Sequence, residues 1–183
     1  MDNFPAHIRV DECGIKHYQS VEEHCRHVSD YAANALQCVG LYNTGELAGL
    51  THDEGKVKRE YSEYIEKAAS GEKTSRGSIN HTFAGVKHLL EKYHGAPPLG
   101  FESLAAELIA YAIGSHHGLF DCVDENGRDG FYHRLRKENI GYEESRDNFL
   151  NFCASEAEID ELFQKSVAEI TNKLISLLEI CRD

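Results

Sequence analysis

Apolar residues recur every three or four positions along most of the chain, whereas strict alternation of apolar and polar residues is scarce. The first pattern belongs to helices with one buried face and the second to half-buried strands. Ser20-Val21-Glu22-Glu23 has the form of a capping box and opens a helix that runs to about Val39. Val21, His24, Cys25, Val28, Ala32, Ala35 and Leu36 lie on its apolar face. A second helix is predicted over Gly45–His52, stopping near Gly55, with a charged helix following to about Ala69. Ser70–Ser78 reads as an exposed loop. Ile79–Tyr93 reads as helix, ended by the turn Gly95-Ala96-Pro97-Pro98. Phe101–Ser115 is the most hydrophobic segment, and helix is favoured because Leu104, Leu108, Tyr111 and Ala112 share a face. Asp121–Gly130 is a polar loop, and Ser155 to Glu158 cap a last amphipathic helix towards Cys181. Strands are confined to the neighbourhood of Ile8–Val10. The fold class is all-α.

The 183 residues fit one domain, 1–183, able to bury a substantial core. The longest apolar run, Leu108 to Gly114, falls far short of the ~18 residues of a membrane span. The N-terminus has no apolar signal-peptide core, so the expected location is the cytoplasm. Six scattered cysteines without a C-x-x-C pair fit reduced thiols there. The formal charge of −12 makes a poor stand-alone binder of phosphate backbones, because that affinity comes from Lys and Arg. A nucleic-acid substrate would need bound metals, a partner or a local basic patch. Two such patches exist, Lys56-Val57-Lys58-Arg59 and Arg134-Leu135-Arg136-Lys137. Runs of this kind are more often solvated faces paired with nearby acids.

Histidine placement changes the picture. Of eleven histidines, His24 lies on the apolar face of the first helix and His52-Asp53 ends the second. His81 begins the next long helix, and His116-His117 ends the most hydrophobic one. Singly each has an ordinary explanation, such as the attraction of a helix C-terminus for a histidine cation. Together they place imidazoles and a carboxylate where packed helices can converge, an arrangement that a divalent cation satisfies. His7, His17, His27, His94 and His133 read as surface residues. His88 and Asp121 are candidates for orienting a ligand.

The series His24, His52-Asp53, His81, His116-His117 resembles the HD superfamily of metal-dependent phosphohydrolases. In detail EHCRHVSDYA (23–32), LAGLTHDEGK (47–56), NHTFAG (80–85) and IGSHHGLFD (113–121) are similar to the HD nuclease domain of the CRISPR-associated helicase-nuclease of type I systems. The resemblance covers roughly residues 20–121 and implies a compact helical bundle around a central metal site.

The resemblance also implies a division of labour. Asp53 would bridge two ions about 3.5–4 Å apart, with His24 and His52 on the first and His81, His116 and His117 on the second. One or two ions are expected, and Mn, Fe, Co or Ni suit this donor set better than Mg. Asp53 and Lys56 would be catalytic, the lysine reaching the scissile phosphate as a point charge. Lys58, Arg59, Arg134, Arg136 and Lys137 are the candidate DNA contacts. The implied activity is cleavage of single-stranded DNA in CRISPR interference, with a helicase motor and a targeting complex as partners and no membrane. The family's later aspartate on the first ion has no match, since Arg182 stands where the acid should be. Either that motif lies beyond residue 183, or Asp183 or Glu179 substitutes. No motor is encoded here: five residues separate Gly49 from Gly55, and Val57 replaces the Ser/Thr of a phosphate loop. The chain therefore reads as a stand-alone subunit or, more in keeping with an end inside a helix, the N-terminal part of a longer helicase-nuclease. Two other functions fit the same residues: an HD phosphohydrolase acting on nucleotides or cyclic nucleotides, and a metal-binding fragment without turnover.

Overall fold

A computed structural model describes residues 4–75, 79–118, 123, 129–137 and 141–181. A short antiparallel hairpin, β1 (Pro5–Val10) and β2 (Lys16–Ser20), pairs Ile8 with Tyr18 and leads into the helices. These are α1 (Val21–Gln37), α2 (Tyr42–Thr51), α3 (Arg59–Ala69), α4 (Phe83–Tyr93) and α5 (Phe101–Gly114). They continue with α6 (Gly130–Leu135), α7 (Tyr142–Phe152) and α8 (Glu156–Ile180). A single 3₁₀ turn, Glu54–Lys56, links α2 to α3. The protein is an all-α bundle with one small hairpin, and no described helix is long and apolar enough to cross a membrane.

The capping signals act as their chemistry dictates. The Ser20 hydroxyl accepts from the Glu23 N–H at 3.1 Å, and the Ser155 hydroxyl accepts from the Glu158 N–H at 3.2 Å. Each satisfies an N–H that the first turn would leave orphaned. The core joins Val21 and Cys25 of α1, Leu47 and Leu50 of α2, and Phe83 and Leu89 of α4. Ile109, Ile113, Phe149 and Phe163 complete it from α5, α7 and α8. Each large side chain buried this way stabilises by about 1.5–3 kcal/mol before entropy is counted.

Gly45 and Gly49, one turn apart on α2, let that helix lie directly on α1. A Cβ on Gly49 would stand 2.6 Å from the Ser29 Cα, and one on Gly45 would overlap the Ala32 carbonyl. Helix α8 crosses the bundle with Glu158 paired to Arg26, while Glu169 accepts from the N–H groups of Asn43 and Thr44 at 2.9 Å, at the start of α2. Glu179 lies ten residues beyond that point, about 15 Å farther along the axis, on the side away from His52. It therefore cannot stand in for the missing aspartate. Asp121 and Asp183 fall outside the described residues.

Three sequence readings are corrected. The face of α5 that carries Leu104, Leu108, Tyr111 and Ala112 points outward. Ser103, Ala105, Ala106, Ile109, Ala110 and Ile113 point inward. Small side chains let α5 approach α4, leaving no room for the larger ones. Helix α4 starts at Phe83, so His81 precedes it instead of opening it. The strand content near Ile8–Val10 is half of a hairpin whose second strand, Lys16–Ser20, has too little alternation to be read directly.

Candidate metal centre

Four segments bring six side chains together. His24 projects from α1, and His52 and Asp53 follow the end of α2. His81 stands two residues before α4, and His116 and His117 follow the end of α5. Their potential ligand atoms fall into two groups, each within 4.8 Å: His24, His52 and Asp53, and Asp53, His81, His116 and His117. Asp53 belongs to both.

Its two oxygens face different ways. Oδ2 lies 3.0 Å from Nε2 of His24, 3.0 Å from Nε2 of His52 and 2.8 Å from Nζ of Lys56. Oδ1 lies 3.8 Å from Nε2 of both His81 and His116, and has no hydrogen-bond partner among the described residues. Burial alone would push the Asp53 carboxyl upward, but His24, His52 and Lys56 outweigh it and hold the group well below its usual range.

The helix ends determine which imidazole nitrogen faces inward. The last carbonyls of an α-helix lack intrahelical partners. Nδ1 of His52 meets the Gly49 carbonyl at 2.7 Å, and Nδ1 of His116 meets the Ile113 carbonyl at 2.7 Å. His81 does the same with the Ile79 carbonyl at 3.2 Å. A carbonyl only accepts, so each Nδ1 carries a proton, and Nε2 is the nitrogen turned to the centre. Nε2 of His24 and His52 are 3.2 Å apart, and those of His81 and His117 are 3.1 Å apart. Burial lowers His116 and brings His81 down to about 4, so both rings stay neutral at pH 7. In the neutral rings of His81 and His116, Nε2 therefore turns a lone pair towards Asp53 Oδ1, an arrangement that a divalent cation turns into ligation. The donor set fits a metal ion.

The surrounding residues hold this geometry. Lys58 is buried, 1% exposed, and donates to the Asn80 carbonyl at 2.9 Å, fixing the segment that carries His81. It therefore does not meet DNA, and burial lowers its pKa. Gly55 lets the 3₁₀ turn abut the His81 backbone, where any Cβ would overlap. Behind the turn, Glu54 and His88 form a buried pair, Oε2 to Nδ1 at 2.9 Å, that ties Asp53's neighbour to α4. Thr51 is buried too, its hydroxyl donating back to the Leu47 carbonyl at 2.9 Å. A glutamate and a histidine both at otherwise apolar positions are the sequence signal that could have paired them.

A cleft of about 540 Å³ opens from the centre, and His81 and His117 form part of its wall. Lys56, Tyr61 and Tyr64 line it as well, with Arg134 and Lys137 at its rim. His7 also lines it, its ring centroid 4.6 Å from that of His24. Sequence placed His7 at the surface without its proximity to the site, since only the hairpin brings it there. Arg59 and Arg136 lie elsewhere: Arg59, its side chain 85% exposed, pairs with Glu63 at 2.8 Å, and Arg136 stacks over Tyr132. His17 and His94 are engaged with Asp11 and Glu107, and His27 and His133 are exposed.

No protein-family model matches this chain, and no curated protein matches it.

Proposed function

We propose that the protein is a metal-dependent phosphodiesterase of the HD type that cuts single-stranded DNA in CRISPR interference, working with a helicase motor and a targeting complex. The observation that carries this reading is the division of one carboxylate, with Asp53 Oδ2 turned to His24 and His52 and Oδ1 turned to His81 and His116. Imidazoles on both oxygens of a shared aspartate are a donor set for two-ion phosphoryl chemistry. His24, His52 and Asp53 would hold one ion, and Asp53, His81, His116 and His117 the other. The mixed nitrogen and oxygen set favours Mn, Fe, Co or Ni over Mg. When bound, such ions supply a water of lowered pKa and neutralise charge on the phosphoryl oxygens.

The chain's own groups do the remaining work. Lys56 keeps its ammonium against Asp53 at 2.8 Å while lining the cleft, so it can donate to a phosphate oxygen entering from that side. The helix-end carbonyls keep protons on Nδ1 of His52 and His116 and turn Nε2 of each ring inward. Burial of Asp53 and His52 excludes water from the back of the centre.

With Mn²⁺, Co²⁺ or Ni²⁺ the protein is expected to cut circular single-stranded DNA, and the double variant His52→Ala with Asp53→Ala to leave it intact. Undiminished cutting by that variant overturns the reading. Turnover of mononucleotides with no action on long DNA selects the nucleotide phosphohydrolase instead, and bound metal without any cleavage selects the inactive metal-binding protein.

A further inference from the structure

His7 stands against the inner half of the centre, yet belongs to neither of its two ligand groups. We infer that His7 is a further nitrogen donor to the inner ion, joining His24, His52 and Asp53 from the cleft side. The inference rests on the two-ion reading proposed above and takes from it only that an ion sits among those three residues. It does not depend on the substrate.

The two halves are unequally supplied with donors. Among the described residues the outer group has four, Asp53, His81, His116 and His117, and the inner group has three, His24, His52 and Asp53. The Asp53 oxygen that serves the inner group is also held by the Lys56 ammonium at 2.8 Å. Two imidazoles and one carboxylate leave open positions on an ion of the Mn-to-Ni series. The inner position therefore has room for another donor as well as for water.

Placement is the second argument. The His7 and His24 ring centroids are 4.6 Å apart, with the planes at 78°. That separation falls between the 3.9 Å of His116 and His117 and the 5.2 Å of His81 and His117, pairs assigned to one ion. His24 and His52 are largely covered, whereas His7 is exposed and lines the cleft with Lys56 and His117. It thus approaches the inner half from the open side, which the other three donors leave clear.

The hairpin is shaped to put it there. Pro5 pairs with Ser20 and His7 with Gln19, so two steps along β1 match one along β2 and Ala6 is the extra residue. An irregularity of this kind turns the side chains that follow it. Ala6 is fully buried, and its carbonyl accepts from the Tyr61 hydroxyl at 3.4 Å. The Tyr61 ring in turn lies 5.3 Å from that of His81. On the other side, the Val21 N–H donates to the Phe4 carbonyl at 2.8 Å, tying the start of β1 to the first residue of α1, three before His24. A strand that did no more than cover the bundle would need neither the extra residue nor a tyrosine fastened to it.

The test titrates the metal-free full chain with Mn²⁺ at pH 8, above the ordinary range of histidine, without nucleic acid. Calorimetry and the Mn²⁺-induced shift in Tm are read together. The wild type is expected to take up two ions. His7→Phe keeps a ring against His24 but has no donor atom, and should weaken the second event by about 10- to 100-fold while leaving the first unchanged. His7→Glu loses the ring but offers an oxygen donor of similar reach, and should bind the second ion more tightly than His7→Phe. A role in packing alone gives the opposite order. Combined with His24→Ala, His7→Phe should cost nothing further, because the two act on one ion. A second event unaltered in His7→Phe overturns the inference, as does a His7→Glu variant that binds no better than His7→Phe. Either result leaves the two-ion reading in place. A single event in the wild type, indifferent to both His24→Ala and His7→Phe, removes the inner ion itself, and the reading and the inference then fall together.

Discussion

The two halves of the metal centre share Asp53 but satisfy it differently. On the inner side Oδ2 has two imidazoles and the Lys56 ammonium within 3.0 Å, so a cation arriving there competes with a cation already present. On the outer side Oδ1 is buried, has no hydrogen-bond partner among the described residues, and faces His81 and His116 at 3.8 Å. A buried acceptor without a donor is costly, and a metal ion removes that cost. The order expected on the proposed two-ion reading is therefore the outer half first and the inner half second, against Lys56.

Removing the shared ligand is the largest perturbation. At 100 times each Kd, the two ions that share Asp53 stabilise the fold by about 5 kcal/mol together, or about 10–20 °C in Tm for a chain of this size. Asp53→Ala is expected to abolish the Mn²⁺-induced Tm shift and cleavage together, and a wild-type shift in that variant would break the scheme. Next is acidity. His81 falls from 6.5 to about 4 on folding, so between these values the unfolded chain binds the proton and the native chain does not. Stability of the metal-free protein therefore declines as pH drops from about 6.5 towards 4, by roughly 3 kcal/mol from this residue. Urea unfolding across that range should lose this part of its slope in His81→Ala. The ordering of the halves is tested by calorimetric titration. His81→Ala should remove the tighter event, worth about 2.7 kcal/mol at the same excess, while His24→Ala leaves it in place. The reverse would place the first ion inside. Smallest are the glycine contacts. Gly55→Ala pushes the Asp53 turn from His81, and Gly49→Ala pushes α2 from α1, each costing about 1–3 kcal/mol of stability in denaturant titrations. The first should weaken only the outer ion and the second only the inner one.

Much of this arrangement was legible in the sequence because it depends on local signals. Ser20 with Glu23 and Ser155 with Glu158 announce helix starts, since the capping bond spans only three residues. His52 and His116 could be found for a related reason. A histidine at a helix end has two competing explanations, attraction to the helix terminus and metal ligation, and the geometry is compatible with both, because the terminal carbonyl takes Nδ1–H and turns Nε2 inward. What escaped the sequence depends on contacts between distant segments. The direction in which α5 turns Leu104 and Leu108 is decided by how closely α4 approaches, and apolar residues on both faces leave periodicity silent. Lys58 sits in a basic run with the look of a solvent face, and its hydrogen bond to the Asn80 carbonyl, 22 residues away, is a contact that the run does not announce. His7 gains its place through hairpin pairing.

Fastening Nδ1 to the last turn of its own helix leaves the imidazoles of His52 and His116 no independent swing. The inward nitrogen travels with the helix end as one body, so fraying of that turn and loss of aim are a single event. Such rings are spared the search among rotamers that a ligand on a loose loop must repeat each time an ion arrives.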